Sequence, residues 1–132
     1  MVWLAGNEGD PQTTQQIATA TQVPAGYLSK VLQSLGRGGL LIASRGLHGG
    51  FEVARSSTAI TILDIVKVVE PIKRIKSCPL SLKAHSRALC PLHKRLDDAM
   101  ATIEASFAAT SLADLLVTTG SRPLCEELVG VK

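Results

Sequence analysis

Cys78, Cys90 and His93 are the residues whose types and spacing suit chemistry in this chain. Eleven residues separate the two cysteines, and Pro91-Leu92 separates Cys90 from His93, so the second thiol and the imidazole can share one helical face. Thiolates and imidazole are the soft and borderline ligands that iron–sulfur clusters and zinc use. The same residues could serve as a thiol redox switch, or be ordinary members of a loop with no chemistry, and the three readings stay open. Around them lies a basic block. Residues 71–95 carry seven cations (Lys73, Arg74, Lys76, Lys83, Arg87, Lys94 and Arg95) and no acid, whereas residues 1–70 balance five against five and residues 96–132 carry two against six. Nearby cations stabilise a thiolate and lower the thiol pKa. A basic loop can equally bind phosphate, the commoner use near DNA. His85 lies within the block and is a candidate extra ligand. Cys125 sits in an acidic context, Cys125-Glu126-Glu127, which disfavours its thiolate, and reads as structural or inert.

Composition narrows the classes. The chain has 132 residues, 45% of them hydrophobic and 19% charged, with a net charge of +3. That is room for one domain, large enough to bury about two-thirds of its unfolded surface without disulfide staples. Three cysteines, an odd number, argue against a disulfide framework. No apolar run reaches the ~18–20 residues of a membrane span, and residues 1–10 lack the basic flank of a signal peptide, so the expected location is cytoplasmic with no membrane contact. No Ser/His/Asp order or carboxylate pair stands out. The glycine-rich turn Gly46-x-x-Gly49-Gly50 lacks the Gly-Lys-Ser/Thr ending of a phosphate-binding loop. The chain is therefore not read as an enzyme.

The elements that position these residues follow from periodicity. Residues 12–20 read as a helix capped by Thr13 or Thr14, broken at Thr21-Gln22-Val23-Pro24, with a second helix starting at that proline. Over residues 25–37, Tyr27, Leu28, Val31, Leu32 and Leu35 form one buried stripe, while Ser29, Lys30, Gln33 and Arg37 fall opposite it. Gly38-Gly39 ends this helix. Residues 40–44 and 51–54 read as two strands joined by a turn that carries Arg45 and His48. Helix, helix, hairpin is the layout of a winged helix-turn-helix. A further helix runs to Glu70, too apolar to be exposed, and Pro71 stops it. Residues 72–90 show no period and read as a loop around Cys78 and Cys90. From Pro91 a long helix carries Leu92, Leu96, Ala99, Ile103 and Phe107 at spacings of 4, 3, 4 and 4, with Met100 beside them. A seam of this kind suits helix-on-helix packing. No earlier helix matches its length, so its expected partner is the same helix of a second subunit. Residues 111–116 form a short last helix.

The residues also resemble a family. Gln16-Ile17-Ala18, Val23-Pro24-x-x-Tyr27-Leu28-x-Lys30-Val31-Leu32, Gly39-Leu40-Leu41, Ser44-Arg45-Gly46-x-x-Gly49-Gly50-Phe51 and Ile62-Leu63-Asp64-Ile65 are similar to the bacterial iron–sulfur cluster regulators of the IscR, NsrR, CymR and BadM types. The likeness extends over about residues 1–118. It implies a homodimeric winged helix-turn-helix repressor or activator of transcription, with Tyr27, Ser29 and Lys30 on the DNA-facing part of the recognition helix and Arg45 at the wing. Two departures bear on the chemistry. Met1-Val2-Trp3-Leu4-Ala5 resembles the middle of the family's first helix, so the first helix reads as truncated at its start. In some members that helix supplies a cofactor ligand to the partner subunit. The family's loop usually holds three cysteines and then a histidine; Cys78 and Cys90 match the outer two and His93 the histidine, but the middle position is about Ala84, next to His85.

The expected protein is mainly α with a small β-hairpin, a winged helix-turn-helix followed by a long dimerisation helix. Residues 1–70 form the DNA-binding region, 71–90 a basic cysteine-containing sensor loop, 91–118 the dimerisation helix and short final helix, and 119–132 a tail. The expected function is a DNA-binding transcription regulator, a homodimeric repressor, whose DNA contacts come from Tyr27, Ser29, Lys30, Gln33, Arg37, Arg45 and His48. Its signal is an iron–sulfur cluster, a metal or thiol redox state at Cys78, Cys90 and His93, with an incomplete ligand set for a cluster. The alternative is a cysteine-ligated metal or redox protein that uses the winged fold for protein contacts without binding DNA.

Overall fold

Thr13 opens the first well-capped helix. Its hydroxyl accepts from the Gln16 N–H (3.2 Å) while Gln16 Oε1 accepts from the Thr13 N–H (2.8 Å), a reciprocal box that satisfies donors otherwise free at a helix start. The computed structural model describes residues 1–116. In it α1 (Val2–Gly6) is followed by α2 (Thr14–Thr21), α3 (Ala25–Arg37), β1 (Leu41–Ser44), β2 (Gly50–Val53), α4 (Ile62–Val69), α5 (Pro91–Ala109) and α6 (Leu112–Leu116), with 3-10 turns at Ser57–Ala59 and Lys83–His85. The winged helix-turn-helix with a long helix after it is thus the fold. The expected tail 119–132 and Cys125 lie outside the described residues.

Gln12, expected to open the helix read over residues 12–20, lies outside α2 (Thr14–Thr21). Its N–H donates to the Phe51 carbonyl (2.9 Å) and its carbonyl accepts from the Phe51 N–H (2.8 Å), which adds a third strand-like segment to the wing. The approach is close enough that a Cβ on Gly50 would lie 2.6 Å from the Gln12 carbonyl, so only glycine fits there. β1 and β2 pair antiparallel from Leu41↔Val53 to Ser44↔Gly50.

On α3, Leu28, Leu32 and Leu35 are buried against α2 and the hairpin. Each such side chain contributes about 1.5–3 kcal/mol on leaving water. Tyr27 departs from the expected stripe: it is 64% exposed, because its position lies a step outside the arc that α2 and β1 cover. The core continues through Leu4, Ile17, Leu40, Val53 and Ile60 to Leu112. Leu112 arrives from beyond α5: its N–H donates to the Ile60 carbonyl (2.8 Å) and the Ile62 N–H donates to the Thr110 carbonyl (3.0 Å), so α6 closes back on the winged-helix core.

α4 corrects another expectation. Thr61 and Asp64 cap it reciprocally, but none of its eight residues is fully buried and Val69 is 43% exposed. Among the described elements α3 and α5 pack against it most closely, and part of its apolar surface stays exposed. α5 is 19 residues, about 28 Å at 1.5 Å per residue, and buries none of them fully. Its Leu92 (65% exposed), Leu96 (44%) and Ile103 (45%) face outward, whereas Met100 and Phe107 are half-buried.

Candidate nucleic-acid interface and sensor loop

α3 carries no acid, and its outer face presents Lys30, Gln33 and Arg37, all exposed, with Tyr27 at one edge and half-buried Ser29 at the other. The Ser34 hydroxyl donates to the Lys30 carbonyl (3.1 Å) and accepts from Arg37 Nη2 (3.4 Å), which keeps Arg37 along the helix. Beyond the hairpin, Arg45 and His48 are exposed in the turn. Among the described residues the ion pairs use Arg74 and Lys94 alone, leaving Lys30, Arg37 and Arg45 uncommitted to carboxylates. Exposed donors on one helix face with a basic hairpin tip beside them form a surface suited to base edges and phosphates.

The loop between α4 and α5 arranges its soft donors as two pairs. Cys78 Sγ lies 3.7 Å from His85 Nδ1, and Cys90 Sγ, at the cap of α5, lies 3.3 Å from His93 Nδ1. Among the described residues no three His, Cys, Asp or Glu side chains converge as metal ligands. The donor types suit an iron–sulfur cluster or zinc, but the arrangement does not: Cys78, Cys90 and His93 are not gathered around one point. The Cys78 thiol is held below its usual pKa, first by the Leu82 backbone N–H, then by His85, with the Leu80 N–H adding to them. Hydrogen bonds, rather than the surrounding Lys and Arg charges expected to activate it, are the leading cause.

Two of the seven cations are in fact committed to α5. Arg74 grips Asp97 through Nε–Oδ1 (2.7 Å) and Nη2–Oδ2 (2.8 Å) and reaches Glu104 at 3.2 Å, while the Ile75 N–H donates to Asp97 Oδ1 at 2.9 Å. Lys94 pairs with Asp98 one turn along. A bidentate, networked pair orders a chain far better than an isolated surface ion pair does. Lys73, Lys76, Lys83, Arg87 and Arg95 remain exposed.

The profile of a family described as iron-dependent transcriptional regulator, Rrf2, matches residues 1–118. This chain belongs to the Rrf2 family. Two solved structures share its fold. CymR, the global cysteine regulator of B. subtilis, is 25% identical with a TM-score of 0.70 and covers 86% of this chain and 84% of its own. T. potens IscR is 25% identical with a TM-score of 0.72, covering 90% of this chain and 84% of its own. Protein aau3 of Rhizobium meliloti (strain 1021) is 35% identical over 78 residues, 59% of this chain and 51% of the relative. The Rrf2 chain is accordingly a DNA-binding transcription regulator and not an enzyme. Among the described residues no helix is long and apolar enough to cross a membrane.

Sequence reasoning missed Gln12 as the anchor of the wing and the Arg74–Asp97–Glu104 clamp in this Rrf2 protein. An acid 23 positions from its arginine leaves no periodic trace. The clamp has a pH signature. Arg74, then the Ile75 N–H, hold Asp97 down to about 2, against an ordinary value of 3.8. A carboxylate depressed in the folded state contributes stability that is complete above its ordinary pKa and lost as pH falls through the folded value. The Ile75 amide should therefore be protected from hydrogen exchange above about pH 4 and lose that protection toward pH 2. Arg74→Ala should remove it across the range. Protection unchanged in that variant would show that the root of the loop is held by something else.

Proposed function

We propose that this Rrf2 regulator binds operator DNA as a homodimer and represses transcription, with α3 in the major groove and the wing against the adjacent minor groove. Lys30, Gln33 and Arg37, flanked by Tyr27 and Ser29, read bases and phosphates; Arg45 and His48 hold the wing to the backbone. The observation that carries this reading is the acid-free, exposed outer face of α3 beside a basic wing. Two protomers meet along α5, whose Leu92, Leu96 and Ile103 stay exposed among the described residues. The signal enters at the 71–90 loop through Cys78, Cys90 and His93, with His85 beside Cys78, as an iron–sulfur, metal or thiol signal. For a cluster to be held, the two Cys–His pairs must converge, or the partner subunit must supply donors. The clamp at Arg74 ties the root of that loop to α5, so a change in the loop bears directly on the helix that spaces the two reading heads.

The test is duplex binding as a function of salt. Neutralised phosphates release counterions, so affinity should fall steeply as salt rises. Lys30→Ala and Arg45→Ala should each weaken operator binding by on the order of 1–3 kcal/mol if a specific base contact is lost. Unchanged affinity for both variants would remove this docking geometry.

A further inference from the structure

We infer that Leu47, at the tip of the wing, enters the minor groove as an apolar contact beside Arg45; this rests on the DNA-docking reading above and adds a residue and a chemistry to it. Leu47 is 95% exposed, whereas the next most exposed large apolar side chains, Leu80 and Leu92, are 68% and 65% exposed. Among the described residues it packs on almost nothing, so its side chain has no part in the core.

The support beneath it is rigid. The hairpin ladder ends at Ser44↔Gly50, and the Gly49 N–H donates to the Gly46 carbonyl at 3.0 Å, closing a four-residue turn with Leu47 and His48 at its two corners. Gly46 has φ +106°, a conformation that side chains rarely adopt, and a Cβ on Gly49 would lie 2.5 Å from the Ser44 carbonyl. Both flanking positions therefore require glycine. At its base the hairpin is pinned by the two Gln12–Phe51 hydrogen bonds. The leucine is held out in water on a turn that has already lost its freedom, so ordering it in a complex costs little.

Charge and shape select the occupant. From Ser44 to Gly50 there is no acid, and Arg45 and His48 flank the leucine; Glu52 lies back along β2, paired with Ile42. An interface with another protein needs a cluster of apolar neighbours around its anchor, and here the neighbours are two glycines, an arginine and a histidine. A narrow groove lined by phosphates fits one apolar side chain with a cation beside it, and minor-groove proteins use leucine in this way, while arginine favours the narrow grooves of A·T-rich steps.

The experiment selects duplexes from a randomised pool with the full chain, then compares wild type with Leu47→Ser, Leu47→Met and Arg45→Ala on the selected duplex across a salt series. Leu47→Ser should retain the thermal midpoint, since the side chain packs on nothing, and lose about tenfold in affinity. Its salt slope should be unchanged, because an apolar contact displaces no counterion, whereas Arg45→Ala should lower the slope by about one. Leu47→Met should restore most of the affinity. Equal affinity of Leu47→Ser and wild type overturns the inference and leaves the docking reading in place, as does a loss of affinity accompanied by a changed slope. A wild-type chain that binds no duplex at low salt overturns the docking reading itself and this contact with it.

Discussion

Ile103→Asp should convert the proposed dimer to a folded monomer that no longer holds a palindromic duplex. Ile103 is 45% exposed in the protomer, so an aspartate there meets water while the chain is alone and the core of Leu4, Leu32, Ile60 and Leu112 is untouched. In a dimer joined along α5, the same carboxylate, twice over, is forced into an apolar seam without a partner, and burying an unpaired charge costs several kcal/mol. Two linked reading heads gain avidity from their linkage, so losing the dimer should weaken binding to a two-half-site duplex by about 10²–10⁴-fold. The spacing follows from the same geometry: half-sites about 34 Å apart, or a multiple of that. Sedimentation reads the assembly and thermal melting reads the fold. An intact dimer in the variant would place the interface elsewhere, with the partly uncovered face of α4 as the next surface to examine.

Cys78→Ser combined with Cys90→Ser should abolish the proposed response of DNA binding to iron and sulfide or to thiol oxidants, with affinity for the operator in the absence of signal kept. Serine preserves size and a hydrogen-bonding group but gives up the soft donor and the nucleophile together. Cys78 sits within reach of His85, and Cys90 within reach of His93, so removing both sulfurs empties both pairs. Since the protomer does not gather the pairs into one ligand set, protein prepared in air should be colourless and free of stoichiometric iron. The measurements are the visible spectrum, iron and sulfide content after anaerobic reconstitution, and operator affinity with and without the signal. Stoichiometric iron and sulfide in the double variant, or an unchanged response, would reduce the loop to a basic structural element.

Local patterns in the sequence already contained most of the fold. Thr13, Pro24 and Thr61 punctuate helices because a cap or a fixed φ acts within a few residues, and Leu28, Leu32 and Leu35 mark a buried face because helical periodicity is local as well. The exposed donors of α3 were legible for the same reason, as the complement of that stripe. Tyr27 was assigned to the buried stripe by spacing, yet how wide an arc is covered depends on the neighbouring elements. The apolar content of α4 predicted burial that two flanking helices do not supply. Gln12 joined the wing through backbone bonds to a residue 39 positions on, and Arg74 left the basic block for carboxylates 23 and 30 positions on. The soft donors were found by type, whereas their division into Cys78–His85 and Cys90–His93 pairs came from the path of a loop without periodicity. Sequence by itself determined which residues carry caps, stripes, charge and sulfur, since those are properties of residues and near neighbours. Tertiary structure decided which of them meet, because contacts between distant segments are set by packing the whole chain at once.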